Sequence, residues 1–190
     1  IDWYSTEHNL DAYAFFRMLH EETGDERYLK PRARSLEWIK KYAYSATEGR
    51  MQRGKGDATI ATDTFSWAVA ALGPRVLSEI GSDAEDIMKF AEANCEVSVG
   101  FTQADGKSVT VHGFDFARAQ HVGRGGIIST EWTGQMIVSY RVLSKYFRSV
   151  GQEDKAILYS DKANYYLSEL QKMIITSPSR MGQGRGCLPY

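Results

Sequence analysis

Apolar residues recur at helical spacing in six stretches of this chain, separated by polar or glycine-containing turns. The first predicts a helix over 7–22, with Ala12, Phe15, Phe16 and Leu19 on one face and a stop at Thr23-Gly24-Asp25. A second is expected after Pro31, a residue tolerated in a first turn, carrying Ala33, Leu36, Ile39, Lys40 and Ala43 to about Ser45. The third opens near Asp63, shows Phe65, Ala68, Val69 and Leu72, and meets Gly73-Pro74, which should break or kink it. The fourth takes Ser82 as its cap, presents Ile87, Phe90 and Ala91, and fades near Cys95. The fifth, over 131–149, aligns Met136, Tyr140, Leu143 and Phe147, and the sixth, over 153–175, aligns Ala156, Tyr159, Ala163, Tyr166, Leu170 and Met173. The period changes only in the stretch 96–126, where alternating runs flank Ala104-Asp105-Gly106 and predict a short β-hairpin around 97–111.

The odd-numbered helices are apolar around more of their circumference than the even-numbered ones, so they are expected inside and the others outside. Each odd helix opens on the same small motif, a threonine followed by an acid: Ser5-Thr6-Glu7-His8-Asn9-Leu10-Asp11, Ala61-Thr62-Asp63-Thr64-Phe65-Ser66-Trp67 and Ser129-Thr130-Glu131-Trp132-Thr133-Gly134-Gln135. The hydroxyl is suited to cap the helix, and the acid falls where free N–H groups and the macrodipole favour negative charge. Capping does not explain a recurrence of about sixty residues, which is the length of a helical pair. The pattern predicts helical hairpins over about 5–46, 62–96 and 129–175, in one domain covering 1–190.

Composition narrows the chemistry. Apolar content of 43% and charged content of 25% suit a globular core, and the formal net charge of −1, with scattered basic residues, argues against a nucleic-acid partner. No apolar run reaches the roughly 20 residues needed to span a bilayer. Cys95 and Cys187 form no C-x-x-C and could pair or stay free. The four histidines show no metal-ligand spacing, so neither a metal nor a cofactor is expected. The start without methionine and the glycine-rich end read as a fragment of a longer protein, which leaves periplasmic, secreted and cytoplasmic locations all open.

The Ser-Thr-Glu-His-Asn-Leu-Asp-Ala-Tyr opening, the Asp-Thr-Phe-Ser-Trp segment with its following Ala-Leu-Gly, and the Ser-Thr-Glu-Trp-Thr-Gly-Gln-Met segment resemble bacterial members of the six-hairpin glycosidase superfamily. The resemblance implies an all-α (α/α)6 toroid of which about three hairpins are present, the remainder coming from missing chain or another segment. It also implies a cleft where the inner helices begin, joining Glu7, Asp63 and Glu131 as catalytic candidates, and an oligosaccharide or polysaccharide substrate. A glycoside hydrolase using paired carboxylates is expected, with inversion favoured because it is the commoner outcome in the superfamily. Glu7 and Asp11, one turn apart, should disfavour each other's ionisation, making Glu7 the general acid and Asp63 or Glu131, favoured as anions by the helix N-terminus, the base.

Trp3, Trp67 and Trp132 lie beside the motifs and are expected near the cleft mouth to pack against sugar rings, with His8, Asp11 and Gln135 as further binding residues, whereas Trp38 falls within an outer helix. His112, Asp115, Arg118 and His121 form a polar cluster read as solvated loop. Two rival readings remain. A lyase or epimerase on the same scaffold would use a base such as His8 or Tyr13, and a non-catalytic glycan- or protein-binding scaffold would keep the motifs as caps alone.

Overall fold

The computed structural model describes residues 4–124, 126–176 and 185–189. The chain is mostly helical, with two small antiparallel sheets. Helix α1 (Thr6–Thr23) is followed by a 3-10 turn (Glu26–Tyr28) and α2 (Leu29–Trp38), whose last turn widens to a π-helix over Ile39–Ala43. Strands β1 (Tyr44–Ser45) and β2 (Arg50–Met51) form a short hairpin before α3 (Thr62–Glu79) and α4 (Ala84–Cys95). Strands β3 (Glu96–Thr102) and β4 (Ser108–Phe114) pair from Glu96–Phe114 to Thr102–Ser108 around the Asp-Gly turn, longer at both ends than the 97–111 expected. A single turn, α5 (Ala119–Val122), precedes α6 (Thr130–Ser149) and α7 (Glu153–Gln171).

The helices pack as the pairs α1–α2, α3–α4 and α6–α7, and the first members of the pairs pack on one another in the order α1, α3, α6. Helix α3 is therefore central, and its Phe65, Ala68, Val69 and Leu72 are all buried, as their spacing predicts. The predicted faces of α6 and α7 are buried too. Their rings form a column with Phe114 of β4: Phe114 on Tyr166, Tyr166 on Tyr140, Tyr140 on Tyr159 and Tyr159 on Phe147, with neighbouring centroids 4.8–6.2 Å apart. The tyrosine hydroxyls exit this column by donating to carboxylates at Glu92, Glu85 and Glu96, so each buried phenol keeps a partner.

The other faces need correction. In α1 the buried positions are Thr6, Leu10 and Tyr13, not the predicted 12/15/16/19 face, and Phe15 is 57% exposed. Apolar residues lie on more than one side of this helix, and α3 covers only one of them. In α2 the buried residues are Ser35, Ile39 and Ala43, while Ala33 and Lys40 are exposed. Gly73 takes φ 73°, a value open to glycine, and kinks α3 without ending it: Pro74 starts a further stretch to Glu79. The cap of α4 is Asp83, not Ser82, because its carboxylate accepts from both Glu85 and Asp86 N–H groups. Helix α7 stops at Gln171, short of 175, where the Ile175 N–H donates to the Cys187 carbonyl. Cys95 and Cys187 are both free thiols.

Candidate active site

The three threonines do not cap their helices. Ser5 and Ser129 are the caps, accepting from the N–H groups of His8 and Trp132, and Ala61 caps α3 without a side-chain bond. Each threonine hydroxyl instead donates to a carbonyl in the segment beyond its own hairpin: Thr6 to Gln52 at 2.5 Å, Thr62 to Asp115 at 2.5 Å and Thr130 to Pro189 at 3.4 Å. In the first two units the backbone repeats the same ladder. Thr6 N–H donates to Arg53 and Lys55 N–H to Tyr4, while Thr62 N–H donates to Phe116 and Arg118 N–H to Ile60. The chain entering each helix is thus fixed against the chain leaving the hairpin, which sets the position of the acid one residue later.

Glu7 and Asp63 both line one cleft of about 990 Å³, walled further by Tyr4, His8, Arg53, Lys55, Asp57 and His121. Partial burial comes first in pushing the Glu7 carboxyl above its ordinary range, followed by the charges of Asp63 and Asp11, with Glu131 adding to them. The effect of Asp11 on Glu7 is present but ranks third. Asp63 is 7% exposed, and its burial also raises it, against the lowering effect of the Thr64 N–H and hydroxyl and of Arg53. The expectation that a helix start lowers this acid fails because desolvation outweighs the nearby donors. Glu131 is exposed and stands outside the cleft walls, within electrostatic reach of both other acids.

Of the predicted binding residues, His8 lines the cleft and Asp11, Trp67, Trp132 and Gln135 do not; Trp3 lies outside the described residues. Trp67 packs half-buried on the core. Trp132 rests on Phe116 at 5.0 Å, and the Arg53 guanidinium sits over the other aromatic of that pair, 5.3 Å from the Phe116 centroid. Gln135 accepts from the Ser66 hydroxyl at 3.0 Å, a bond between α3 and α6. Trp38 ends α2, the helix to which it was assigned, and its ring lies 6.4 Å from that of Tyr4 in the cleft wall.

Sequence reasoning passed over the charged, glycine-rich stretch 50–59, although it supplies most of the cleft's far wall. Arg53 pairs with Asp57 at 3.2 Å, and the Asp57 carboxylate also accepts from Thr59 N–H. Asp115, read as solvated loop, is fully buried: it accepts two bonds from Arg124 and one each from the Phe116 and Ile127 N–H groups. That clasp shapes the loop carrying His121, whose Nδ1 accepts from Ile60 N–H at 3.0 Å. Among the described residues no group of three His, Cys, Asp or Glu side chains is placed to hold a metal ion, and no helix is long and apolar enough to cross a membrane. No family model matches the chain, and no curated protein matches it.

Proposed function

We propose that this protein is a carbohydrate-active enzyme, a glycoside hydrolase in which Glu7 is the general acid and Asp63 the base, built on hairpins of an (α/α)6 toroid. The observation that carries the reading is the pair itself: two carboxyls in one cleft, each held above its usual range, with the charge of Asp63 contributing to the rise of Glu7. Their surroundings divide the roles. Asp63 receives the Thr64 N–H and hydroxyl and the field of Arg53, donors that support an anion, whereas no described residue donates to the Glu7 carboxyl. Glu7 keeps the proton and Asp63 the charge. In the inverting form, Asp63 takes a proton from water as its oxygen bonds to the anomeric carbon. The glycosidic C–O bond breaks, and the Glu7 proton passes to the leaving oxygen. Glu131 serves as a third negative charge that keeps Glu7 protonated.

The stacking of α1, α3 and α6 on one another supports a toroidal arrangement. A lyase or epimerase reading keeps His8, which lines the cleft, as its base. Its other candidate, Tyr13, is 5% exposed and belongs to the core.

The test is a screen of aryl glycosides and oligosaccharides with the whole protein, followed by Glu7→Gln and Asp63→Asn. Each variant should lose about 10²-fold or more in rate on ordinary glycosides. On dinitrophenyl glycosides, whose leaving group needs no proton, Glu7→Gln should recover and Asp63→Asn should not. Turnover unchanged in both variants would refute the assignment.

A further inference from the structure

One end of the cleft carries a cation with no acid partner among the described residues. Lys55 and Arg53 are the two Lys or Arg side chains in its wall, and Arg53 is paired with Asp57. The Lys55 ammonium has aromatic neighbours in place of a carboxylate: it lies 4.8 Å from the centroid of Tyr42 and 5.7 Å from that of Tyr4. Tyr4 is 47% exposed and lines the cleft, backed by Trp38, which is 5.7 Å from Tyr42. The result is a half-exposed ring with a positive charge over it.

The backbone holds this pair in register. Lys55 N–H donates to the Tyr4 carbonyl, Thr6 N–H to the Arg53 carbonyl, and Ser5 pairs with Gly54 between them. The approach is so close that a Cβ on Gly54 would stand 2.6 Å from the Tyr4 oxygen. Neither strand can slide, so Lys55 remains beside Tyr4. Tyr4 is three residues before Glu7, a chain span of at most about 11 Å. A sugar stacked on Tyr4 therefore adjoins one whose linkage lies at Glu7.

Resting on the glycosidase reading, we infer that the substrate is an anionic saccharide, its charged residue stacked on Tyr4 with the acid group at Lys55. An exposed ring offers sugars their apolar contact, and an ammonium without a counter-ion offers a carboxylate or sulfate ester a charge-assisted bond. The acids of the cleft oppose this weakly at the same end: Asp57 is held by Arg53, and burial favours the protonated form of Glu7.

The test is binding by the whole protein to a panel of tetrasaccharides, some bearing only uronate carboxylates, some only sulfate esters and some uncharged, repeated with Lys55→Gln, Lys55→Arg and Tyr4→Ala. Tighter binding of one charged class than of matched neutral sugars is expected. It should weaken about tenfold in Lys55→Gln, as loss of a charge-assisted bond implies, recover in Lys55→Arg, and fall with added salt. Preference between the two charged classes identifies the acid group. Equal binding of neutral and charged sugars, no binding by any charged member, or affinity unchanged in Lys55→Gln would each overturn the subsite. Hydrolysis of neutral sugars by an indifferent Lys55→Gln variant sinks this inference alone. Lys55-dependent binding without cleavage sinks the hydrolase reading and leaves the subsite standing.

Discussion

The Thr62 hydroxyl donates to the Asp115 carbonyl at 2.5 Å, and the Thr6 hydroxyl makes the same bond to Gln52 at 2.5 Å, one hairpin earlier. Both threonines are fully buried. Thr62→Val should cost about 1–3 kcal/mol, because it leaves the buried Asp115 carbonyl without this donor. Thr62→Ser, which keeps the hydroxyl, should retain most of the stability. Urea unfolding of the two variants measures the difference, and equal losses would show that the methyl matters more than the bond.

Raised carboxyls make the cleft a source of strain on the fold. A Glu7 whose folded pKa lies above its unfolded value contributes stability that is fully present below the unfolded value and is lost as pH rises through the folded one. Glu7→Gln removes that dependence. The variant should be more stable than the parent at neutral pH and should lose this advantage in acid, as thermal melts across pH would record. A variant less stable at neutral pH would mean that the charge is better solvated than its surroundings indicate.

Asp115 anchors the loop at the cleft's edge. Asp115→Ala leaves the Phe116 and Ile127 N–H groups and Arg124 without their shared acceptor, a loss on the order of 3 kcal/mol. Hydrogen exchange should speed up over 115–124 before it does in α3 or α6. Uniform loss of protection would instead mark Asp115 as a support of the whole core.

His121 is held as one tautomer. Its Nδ1 accepts from Ile60, so the proton of the neutral ring belongs on Nε2. Nitrogen NMR of the ring at mildly alkaline pH should find Nδ1 bare and Nε2 protonated.

The two thiols should differ in reactivity. Cys95 is 1% exposed and burial pushes its thiol up to about 11, whereas Cys187 is exposed. Native protein should take up one equivalent of iodoacetamide, located at Cys187 by peptide mass analysis, and denatured protein two. Fast native labelling at Cys95 would contradict its burial.

What the sequence by itself determined was local: the faces of α3, α6 and α7, the Asp-Gly hairpin, and the three Thr-acid starts. Side-chain periodicity and turn chemistry act within a few residues and need no knowledge of the partner. The face of α1 was different, since Phe15 and Leu10 are both apolar and only the positions of α2 and α3 decide which is covered. The threonines looked like caps because capping is the nearby use of a hydroxyl, but their acceptors lie 46, 53 and 59 residues away. The place of Trp132 on Phe116 was hidden for the same reason, as was the 50–59 stretch, whose charges gather at a cleft only once a ladder lays them beside Tyr4 and Thr6. Tertiary structure also reversed the shift of Asp63: a helix start favours its anion, and the packing that takes the carboxyl out of water disfavours it more strongly.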